Sequence, residues 1–262
     1  MTVAQTISSS FRISVKSAFA AVPPWIWFIQ IMLTSFFSMY FFVLLADFSG
    51  STTSTVSYVA IGNAVQSIAV VSMYSIAMIP GTQKHMETLP AMMQTPSSMY
   101  MIFVGMSIFS ILSGFFSVGI SLVYAAIFGV SFSMVNVLSI VVVVLLTALS
   151  MSSIGMAIGS IGIYLRTSMI LASIMAYIGL VIAGVNFPVD ALPGWVQIFS
   201  AAYPLTYAVK ATRLSIDGVG LGGMIFEVGM MLLLSFIFIV ISIVMFRYFE
   251  RLSRKNGKLD HF

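Results

Sequence analysis

Long apolar runs separated by short polar segments divide the chain into candidate membrane spans. Crossing the hydrocarbon core of a bilayer takes about 20 mostly apolar residues in a helix. By that rule the apolar runs predict six spans, at roughly 25–45, 58–79, 99–127, 134–159, 169–187 and 224–246. We therefore expect an all-α integral membrane protein in which residues 1–262 form a single transmembrane domain.

A different periodicity precedes the first span. Apolar residues recur every four positions over 3–19, with Arg12 and Lys16 between them. This spacing gives a helix one apolar face, and basic residues on a weakly hydrophobic helix favour the membrane interface. Residues 1–24 are expected to form an interfacial helix that two prolines end, with a disordered basic tail as the alternative. The following apolar run is too long for a signal peptide, so none is expected.

The segment between the second and third spans, residues 80–98, contains three prolines and several polar residues. Pro80 and Gly81 are expected to end the second span, because proline cannot supply a backbone donor inside a helix. Residues 84–93 allow a short helix with an apolar, methionine-rich face, and methionine is common on surfaces that dock partners. We expect a coupling helix here; a solvated connector is the alternative.

Residues 188–223, after the fifth span, combine prolines, charges and apolar residues. Proline breaks a helix, so one straight span cannot cover this segment, yet its middle is too apolar for an ordinary exposed loop. Irregular backbone at membrane depth persists only where it is buried in protein or lines a wet cavity. The segment is therefore expected to form re-entrant helices that close a transport pathway. Within it, Arg213 and Asp217 are spaced for an ion pair.

Composition and charge agree with a membrane protein and predict its orientation. Only 7% of residues are charged and 60% are hydrophobic, whereas soluble domains carry about 25% charged residues. With six spans, all of the 11 Lys and Arg residues except Lys210 and Arg213 fall on one side. The positive-inside rule puts that side, with both termini and the tail 247–262, in the cytoplasm. We expect a multi-pass protein of the plasma membrane, with segment 188–223 outside. The bases cluster at the chain ends, so no nucleic-acid partner is expected.

The sequence carries no recognisable catalytic or cofactor chemistry. It has no cysteine, no histidines at metal-ligand spacing, and no Gly-x-x-x-x-Gly-Lys-Ser/Thr loop for phosphate binding. The chain is therefore not expected to be an enzyme, to bind a metal or to bind ATP itself. Its spans are nearly free of ionisable groups, whereas ion-driven carriers normally place an acid inside the membrane.

Uncharged polar and adaptable residues mark a candidate substrate pathway inside the second and fifth spans. These residues are Asn63, Gln66, Tyr74, Met175, Tyr177 and Asn186. Hydrogen bonding between helices explains such residues equally well. In the fourth span, Gly155 and Gly159 form a Gly-x-x-x-Gly pair, for which close helix packing is the expected role.

Two motifs resemble those of the membrane subunit of ABC type-2 exporters. The first comprises Glu87-Thr88-Leu89, Met92-Met93 and Thr95-Pro96, and the second comprises Phe187-Pro188, Leu192-Pro193, Trp195, Pro204-Leu205-Thr206-Tyr207 and Arg213. The resemblance implies a permease that exports an amphiphilic or hydrophobic substrate, such as a drug, antibiotic, peptide or lipid, and hence a role in efflux and multidrug resistance. It implies a dimer with an identical or paralogous permease, and two cytoplasmic ABC ATPase subunits that bind ATP and Mg.

The resemblance also implies roles for individual residues. Those expected to couple to the motor are Met86, Glu87, Thr88, Leu89, Met92, Thr95 and Pro96. Those expected to form the external gate are Phe187, Pro188, Pro193, Trp195, Pro204, Tyr207 and Arg213. The alternatives are a secondary carrier or channel that works without ATP, and a membrane scaffold that transports nothing.

Overall fold

The structure is a computed structural model that describes residues 3–48, 53–86, 88, 92, 94–95, 98–164 and 168–255. All regular secondary structure in these ranges is helical. The α-helices are α1 (Val3–Ala21), α2 (Pro24–Phe48), α3 (Thr53–His85), α4 (Met99–Ile127), α5 (Val137–Tyr164), α6 (Ser168–Ile182), α7 (Gly194–Ala201), α8 (Pro204–Ile216) and α9 (Ile225–Lys255). Two short 3₁₀ helices, Val189–Ala191 and Leu221–Met224, flank the pair α7 and α8.

Within the described ranges, five helical stretches are long and apolar enough to cross a membrane. They are Pro24–Phe48, Thr55–Lys84, Met99–Ile127, Val137–Ile163 and Leu221–Leu252. The protein is therefore a multi-pass, all-helical membrane protein. α6 is shorter, with 15 residues, or about 22 Å at 1.5 Å per residue, against a hydrocarbon core about 30 Å thick. The predicted span at 169–187 is thus helical only as far as Ile182.

The second span is longer than predicted. α3 continues through Pro80 to His85, so the prediction that Pro80 and Gly81 end this helix is wrong. Pro80 is buried, and its ring lies against α5 beside Gly162. Proline removes one hydrogen bond of the helix, and the burial of its ring between α3 and α5 helps to offset that cost. Lys84 and His85 consequently belong to α3, and the coupling helix predicted over 84–93 cannot begin at residue 84.

α3 lies at the centre of the bundle, where it packs against α2, α4, α5, α6 and α8. The contact with α5 is close because of two glycines. A Cβ atom added to Gly155 would lie 2.5 Å from the carbonyl oxygen of Met73, and one added to Gly159 would lie 3.3 Å from that of Ile76. The close packing predicted for the Gly-x-x-x-Gly pair is therefore confirmed.

α1 forms the predicted N-terminal helix and packs along α4. Gly105 permits the contact, because a Cβ atom there would lie 2.7 Å from the carbonyl oxygen of Ile7. The hydroxyl of Ser14 donates a hydrogen bond of 3.2 Å to the carbonyl oxygen of Met106. α1 is thus fixed to the part of α4 that follows residues 80–98. Its location in a membrane interface stays a prediction.

Candidate functional site

The chain that follows α6 is irregular, yet it is buried inside the bundle. Ala183 and Val185 are 1% and 0% exposed, and Gly184 between them has a φ of 73°, a conformation that glycine adopts without steric cost. Buried backbone groups that lack a hydrogen-bond partner are costly. The carbonyl oxygens of this segment therefore need donors from elsewhere in the protein.

Arg213 supplies most of those donors. Its Nη1 donates to the carbonyl oxygen of Gly184, and its Nη2 donates to those of Val185 and Tyr58, all at 3.0 Å. The Tyr58 hydroxyl adds a hydrogen bond of 3.2 Å to the Gly184 oxygen. Burial lowers the pKa of Arg213 to about 10, although Tyr58 acts in the opposite direction, so the guanidinium stays charged at neutral pH. A half-buried cation thus fixes the irregular segment to α3 and α8.

Gly62 on α3 makes the approach of this segment possible. A Cβ atom at Gly62 would overlap the carbonyl group of Val185 and lie 3.0 Å from an Arg213 nitrogen. No motif or periodicity in the sequence indicates a role for Gly62, Tyr58 or Gly184. The positive φ of Gly184 was not deducible from an apolar run, and the role of Tyr58 depends on a contact between distant parts of the chain.

The ion pair predicted between Arg213 and Asp217 is wrong, because the guanidinium is directed at the carbonyl oxygens of the irregular segment instead. Asp217 lies at the end of α8, where its backbone N–H donates to the carbonyl oxygen of Arg213 at 3.0 Å. The neighbouring base, Lys210, forms an ion pair with Glu227, with 2.8 Å between Nζ and Oε1. The Glu227 side chain is 8% exposed, so this pair ties α8 to the first turn of α9.

The prolines predicted to lie in the gate are placed at helix starts. Pro188 and Pro193 immediately precede the first 3₁₀ helix and α7. Pro204 occupies the first turn of α8, where the missing N–H has no intrahelical partner to lose. The hydroxyl of Tyr207 donates to the carbonyl oxygen of Ala201 at 3.0 Å. The prolines and Tyr207 therefore shape α7 and α8 into a compact hairpin.

Tyr203, which sequence reasoning missed, attaches this hairpin to α6. The Tyr203 side chain is buried, and a Cβ atom on Gly179 would lie 2.7 Å from its ring. Its hydroxyl donates to the carbonyl oxygen of Met175 at 3.3 Å. The other two predicted gate residues, Phe187 and Trp195, are 38% and 69% exposed, so they lie on the surface rather than in this contact.

The hairpin and the irregular segment enclose a crevice, which we call the outer cavity. Its volume is about 350 Å³, and Tyr58, Asp190, Tyr207, Lys210 and Arg213 are among the residues that line it. Both cations of the hairpin therefore border the same space, together with one carboxylate. Of the seven predicted gate residues, Pro188, Tyr207 and Arg213 line this cavity.

The predicted pathway residues of α3 make hydrogen bonds to the region of α6. Asn63 Nδ2 donates to Asn186 Oδ1 and to the carbonyl oxygen of Val59, both at 2.9 Å. Gln66 Nε2 donates to the carbonyl oxygen of Ala176 at 3.1 Å. Both side chains are buried, yet Asn63 Oδ1 and Gln66 Oε1 have no hydrogen-bond partner among the residues that the structure describes. Asn63 therefore joins α3 to the irregular segment after α6, Gln66 joins α3 to α6 itself, and each amide keeps one unused acceptor.

Three of the six predicted pathway residues line one space, which we call the inner cavity. This cavity has a volume of about 280 Å³, lies between α2, α3 and α6, and is lined in part by Gln66, Tyr74 and Tyr177. Asn63 and Asn186 lie outside its lining, at the hydrogen bond between them. The Met175 side chain is 39% exposed and also lies outside that lining.

The predicted coupling segment is described only in part. Glu87, Leu89, Met93 and Pro96 lie outside the described residues. The Thr88 hydroxyl contacts the carbonyl oxygen and Oε1 of Gln83, at 3.1 and 2.6 Å. Met86 is 46% exposed, and its sulfur accepts a hydrogen bond of 3.6 Å from the Ser17 hydroxyl. Met92 and Thr95 are joined by a hydrogen bond of 2.7 Å from the Thr95 hydroxyl. This segment thus caps α3 and touches α1.

Residues 25–216 match the family model described as ABC-2 type transporter. The chain belongs to the ABC-2 type transporter family. The match covers more than two thirds of the chain and contains both segments that carry the sequence motifs. No curated protein was found to match. An ABC-2 protein is a transmembrane component of a transporter, is generally not catalytic itself, and works with an ABC ATPase.

Proposed function

We propose that the protein is the permease subunit of an ATP-driven exporter for amphiphilic or hydrophobic molecules such as drugs, antibiotics, peptides or lipids. The observation that carries the proposal is the inner cavity of an ABC-2 protein, where Gln66, Tyr74 and Tyr177 meet. Binding sites for small molecules are mostly apolar, with a few polar groups that orient the ligand. A wall of aromatic rings and one amide suits a substrate with a large apolar part.

The membrane arrangement that we propose has six crossings. α6 and the buried segment after it would together make the fifth crossing, and the hairpin of α7 and α8 would lie at the outer face of the plasma membrane. Lys and Arg residues near α1 and at the end of α9 support a cytoplasmic location of both termini. In this arrangement the outer cavity faces the exterior, and the hairpin closes the pathway there.

The exposed face of α6 supports the proposal that a second permease is a partner of this protein. Ile170, Ile174 and Ile178 recur every four residues and are 59%, 47% and 41% exposed. They form one apolar stripe next to Tyr177 of the inner cavity. A second permease, identical or paralogous, packed on this stripe would place two inner cavities side by side and form a central pathway. Membrane lipid would cover the remaining apolar faces.

α3 provides a mechanical connection between motor and pathway. It has 33 residues, about 50 Å at 1.5 Å per residue, and it contains Gln66 and Tyr74 as well as the end that Thr88 caps. Two cytoplasmic ATPase subunits, which would bind ATP and Mg²⁺, would press on residues 80–98 when they close. Because α3 is continuous through Pro80, a displacement at its end would shift the wall of the inner cavity. Nucleotide binding by the ATPase would thereby be coupled to a change between two arrangements of the membrane helices.

The charge distribution favours ATP over an ion gradient as the energy source. A carrier driven by protons or sodium normally exposes an acid within its pathway. Among the described residues, no acid lines the inner cavity. The buried carboxylate of Glu227 is paired with Lys210 at the start of α9 instead.

The proposal is tested by transport into inverted membrane vesicles that contain the protein and its copurifying ATPase. Amphiphilic fluorescent dyes serve as probes, with and without ATP, and with a protonophore to remove the ion gradient. We expect accumulation that requires ATP and persists with the protonophore. Accumulation driven by an imposed proton or sodium gradient without ATP would instead identify a secondary carrier.

A further inference from the structure

A second intramembrane cavity lies on the other side of the wall that Gln66 and Tyr74 form. It has a volume of about 400 Å³ and lies between α2, α3 and α4, within the range of about 300–1,000 Å³ for ligand pockets. Gln30, Thr34 and Ser38 on its α2 side are exposed, so the cavity is open along α2. We call it the serine groove.

The groove is lined by hydroxyl groups at regular helical spacing. On α4, Ser110, Ser113 and Ser117 face it and are 5%, 4% and 1% exposed. Opposite them on α2, the hydroxyl of Ser35 lies 3.3 Å from that of Ser117. Serines in membrane helices usually let two helices approach each other closely. Here they border a space of about 400 Å³, so packing alone does not account for the whole stripe.

Gln66 gives a second and independent indication of a ligand. Its side chain is 7% exposed and lines the serine groove as well as the inner cavity. Its Nε2 is already bonded to α6, whereas its Oε1 has no hydrogen-bond partner within the described part of the chain. Buried polar atoms are nearly always hydrogen-bonded in native proteins. Oε1 is covered by neighbouring protein atoms, so a ligand that donates a hydrogen bond would pair with it once the amide turns toward the groove.

The remaining lining determines the kind of ligand. None of the described residues that line the groove is charged, and Trp27, Phe109 and Val70 add apolar surface beside the hydroxyls. An ionised head would have to leave water without a countercharge, which is costly. We propose that the serine groove binds an uncharged amphiphile whose head carries hydroxyl groups and whose tail lies against Trp27 and Phe109. This binding requires neither ATP nor export, so it stands apart from the proposed function.

Trp27 offers a direct readout of binding. The chain has 3 tryptophans, and the other two, Trp25 and Trp195, are 65% and 69% exposed, so Trp25→Phe and Trp195→Phe leave a single reporter. The full chain in nanodiscs is titrated with a monoacylglycerol that carries bromine on its acyl chain. Comparison probes are the brominated fatty acid methyl ester, which lacks hydroxyls, and brominated phosphatidylglycerol, which is anionic. We expect saturable quenching of Trp27 by the monoacylglycerol, at about tenfold lower concentration than by either comparison probe.

Two sets of variants test the location of the site. Ser110→Ala with Ser113→Ala removes hydroxyls without adding volume, and it should weaken monoacylglycerol binding about tenfold, as expected for the loss of one or two hydrogen bonds. Ser113→Phe fills the groove and should abolish saturable quenching. The matched control is Gly119→Phe on the exposed side of α4, where no atom lies within 4 Å of an added Cβ; it should bind as the parent does. Equal or non-saturable quenching by all three probes, or unchanged binding by the alanine variant, would overturn the proposal.

Discussion

The guanidinium of Arg213 lies over the ring of Tyr58, with 3.3 Å between the guanidinium carbon and the ring centre. This contact joins α8 to the first turns of α3, and the same guanidinium bonds the carbonyl oxygens of Gly184 and Val185. α6 can therefore end within the apolar bundle without leaving these carbonyls unpaired. A single cation thus stabilises both the break after α6 and the attachment of the hairpin.

Replacing Arg213 should destabilise the protein more than removing an exposed arginine. Arg213→Met leaves the carbonyl oxygens of Gly184 and Val185 without this donor. Because a buried unpaired polar group costs about 1–3 kcal/mol, the free energy of unfolding should fall by at least about 2 kcal/mol, and Tm by about 4–8 °C. Arg213→Lys should be intermediate, because one ammonium group cannot reproduce the planar fork. The measurement is thermal unfolding in detergent.

The control for this comparison is Arg12→Met, because Arg12 is exposed on α1. Its Tm should change by less than about 2 °C, as expected for a surface substitution. Equal shifts for Arg12→Met and Arg213→Met would show that the network around Arg213 contributes nothing specific.

Gly62→Ala should disturb the irregular segment although it adds a single methyl group. The new Cβ would overlap the carbonyl group of Val185, so either α3 or the segment must shift, which costs about 1–3 kcal/mol. Thermal unfolding should show a lower Tm. Gly229→Ala on α9 is the matched control, because no atom lies within 4 Å of its added Cβ, and alanine favours a helix over glycine. A Tm for Gly62→Ala that equals that of Gly229→Ala would contradict the close approach.

The hydrophobic pattern predicts the long helices well but predicts their ends less well. The third predicted span, 99–127, coincides with α4 (Met99–Ile127), because one apolar run and its polar flanks determine it. The local preference of proline predicts that α3 ends at Pro80, whereas the helix continues to His85 because Pro80 packs against α5. Hydropathy predicts a span as far as residue 187, whereas α6 ends at Ile182, because hydropathy does not detect the left-handed conformation of Gly184.

The sequence predicts which residues belong to the candidate site, but it does not predict which of them are in contact. Asn63 and Asn186 were each singled out for polarity inside an apolar run, and the structure joins them by a hydrogen bond. The sequence also indicates Arg213, but it predicts Asp217 as the partner, because helical spacing is the only geometry that can be read from a sequence. The acceptors at Gly184 and Val185 become neighbours of Arg213 only when α6 and α8 pack together.

Substitutions in the inner cavity should change which molecules are transported more than they change the amount of protein. Gln66→Leu and Tyr74→Leu alter the polarity of the cavity wall, and a lost interhelical hydrogen bond costs only about 0.6–2 kcal/mol. The measurement is ATP-dependent accumulation of a panel of amphiphilic dyes, normalised to protein in the membrane. Tyr248→Leu, which alters a 59% exposed tyrosine of α9, is the control. An unchanged dye preference in both cavity variants would show that Gln66 and Tyr74 only pack the helices together and do not contact the substrate.

The chain has no cysteine, so a single introduced cysteine is the only residue of this protein that a maleimide labels. Such cysteines therefore test the orientation of the protein in the membrane. Ser9 in α1 and Ala191 beside the hairpin are both exposed. In intact cells, a maleimide that cannot cross the membrane should label Ala191→Cys and should label Ser9→Cys only after permeabilisation. The reverse pattern, or labelling of both from outside, would contradict cytoplasmic termini with an external hairpin.

Photo-crosslinking from Met86 tests the central claim, that a separate ATPase drives this permease through residues 80–98. Met86 is 46% exposed at the end of α3, and a photoreactive phenylalanine analogue there should reach a subunit docked on that segment. Mass spectrometry of the crosslinked product should identify an ABC ATPase, and the same analogue at Trp195 should not capture it. An ATPase captured from Trp195 and never from Met86 would contradict the account.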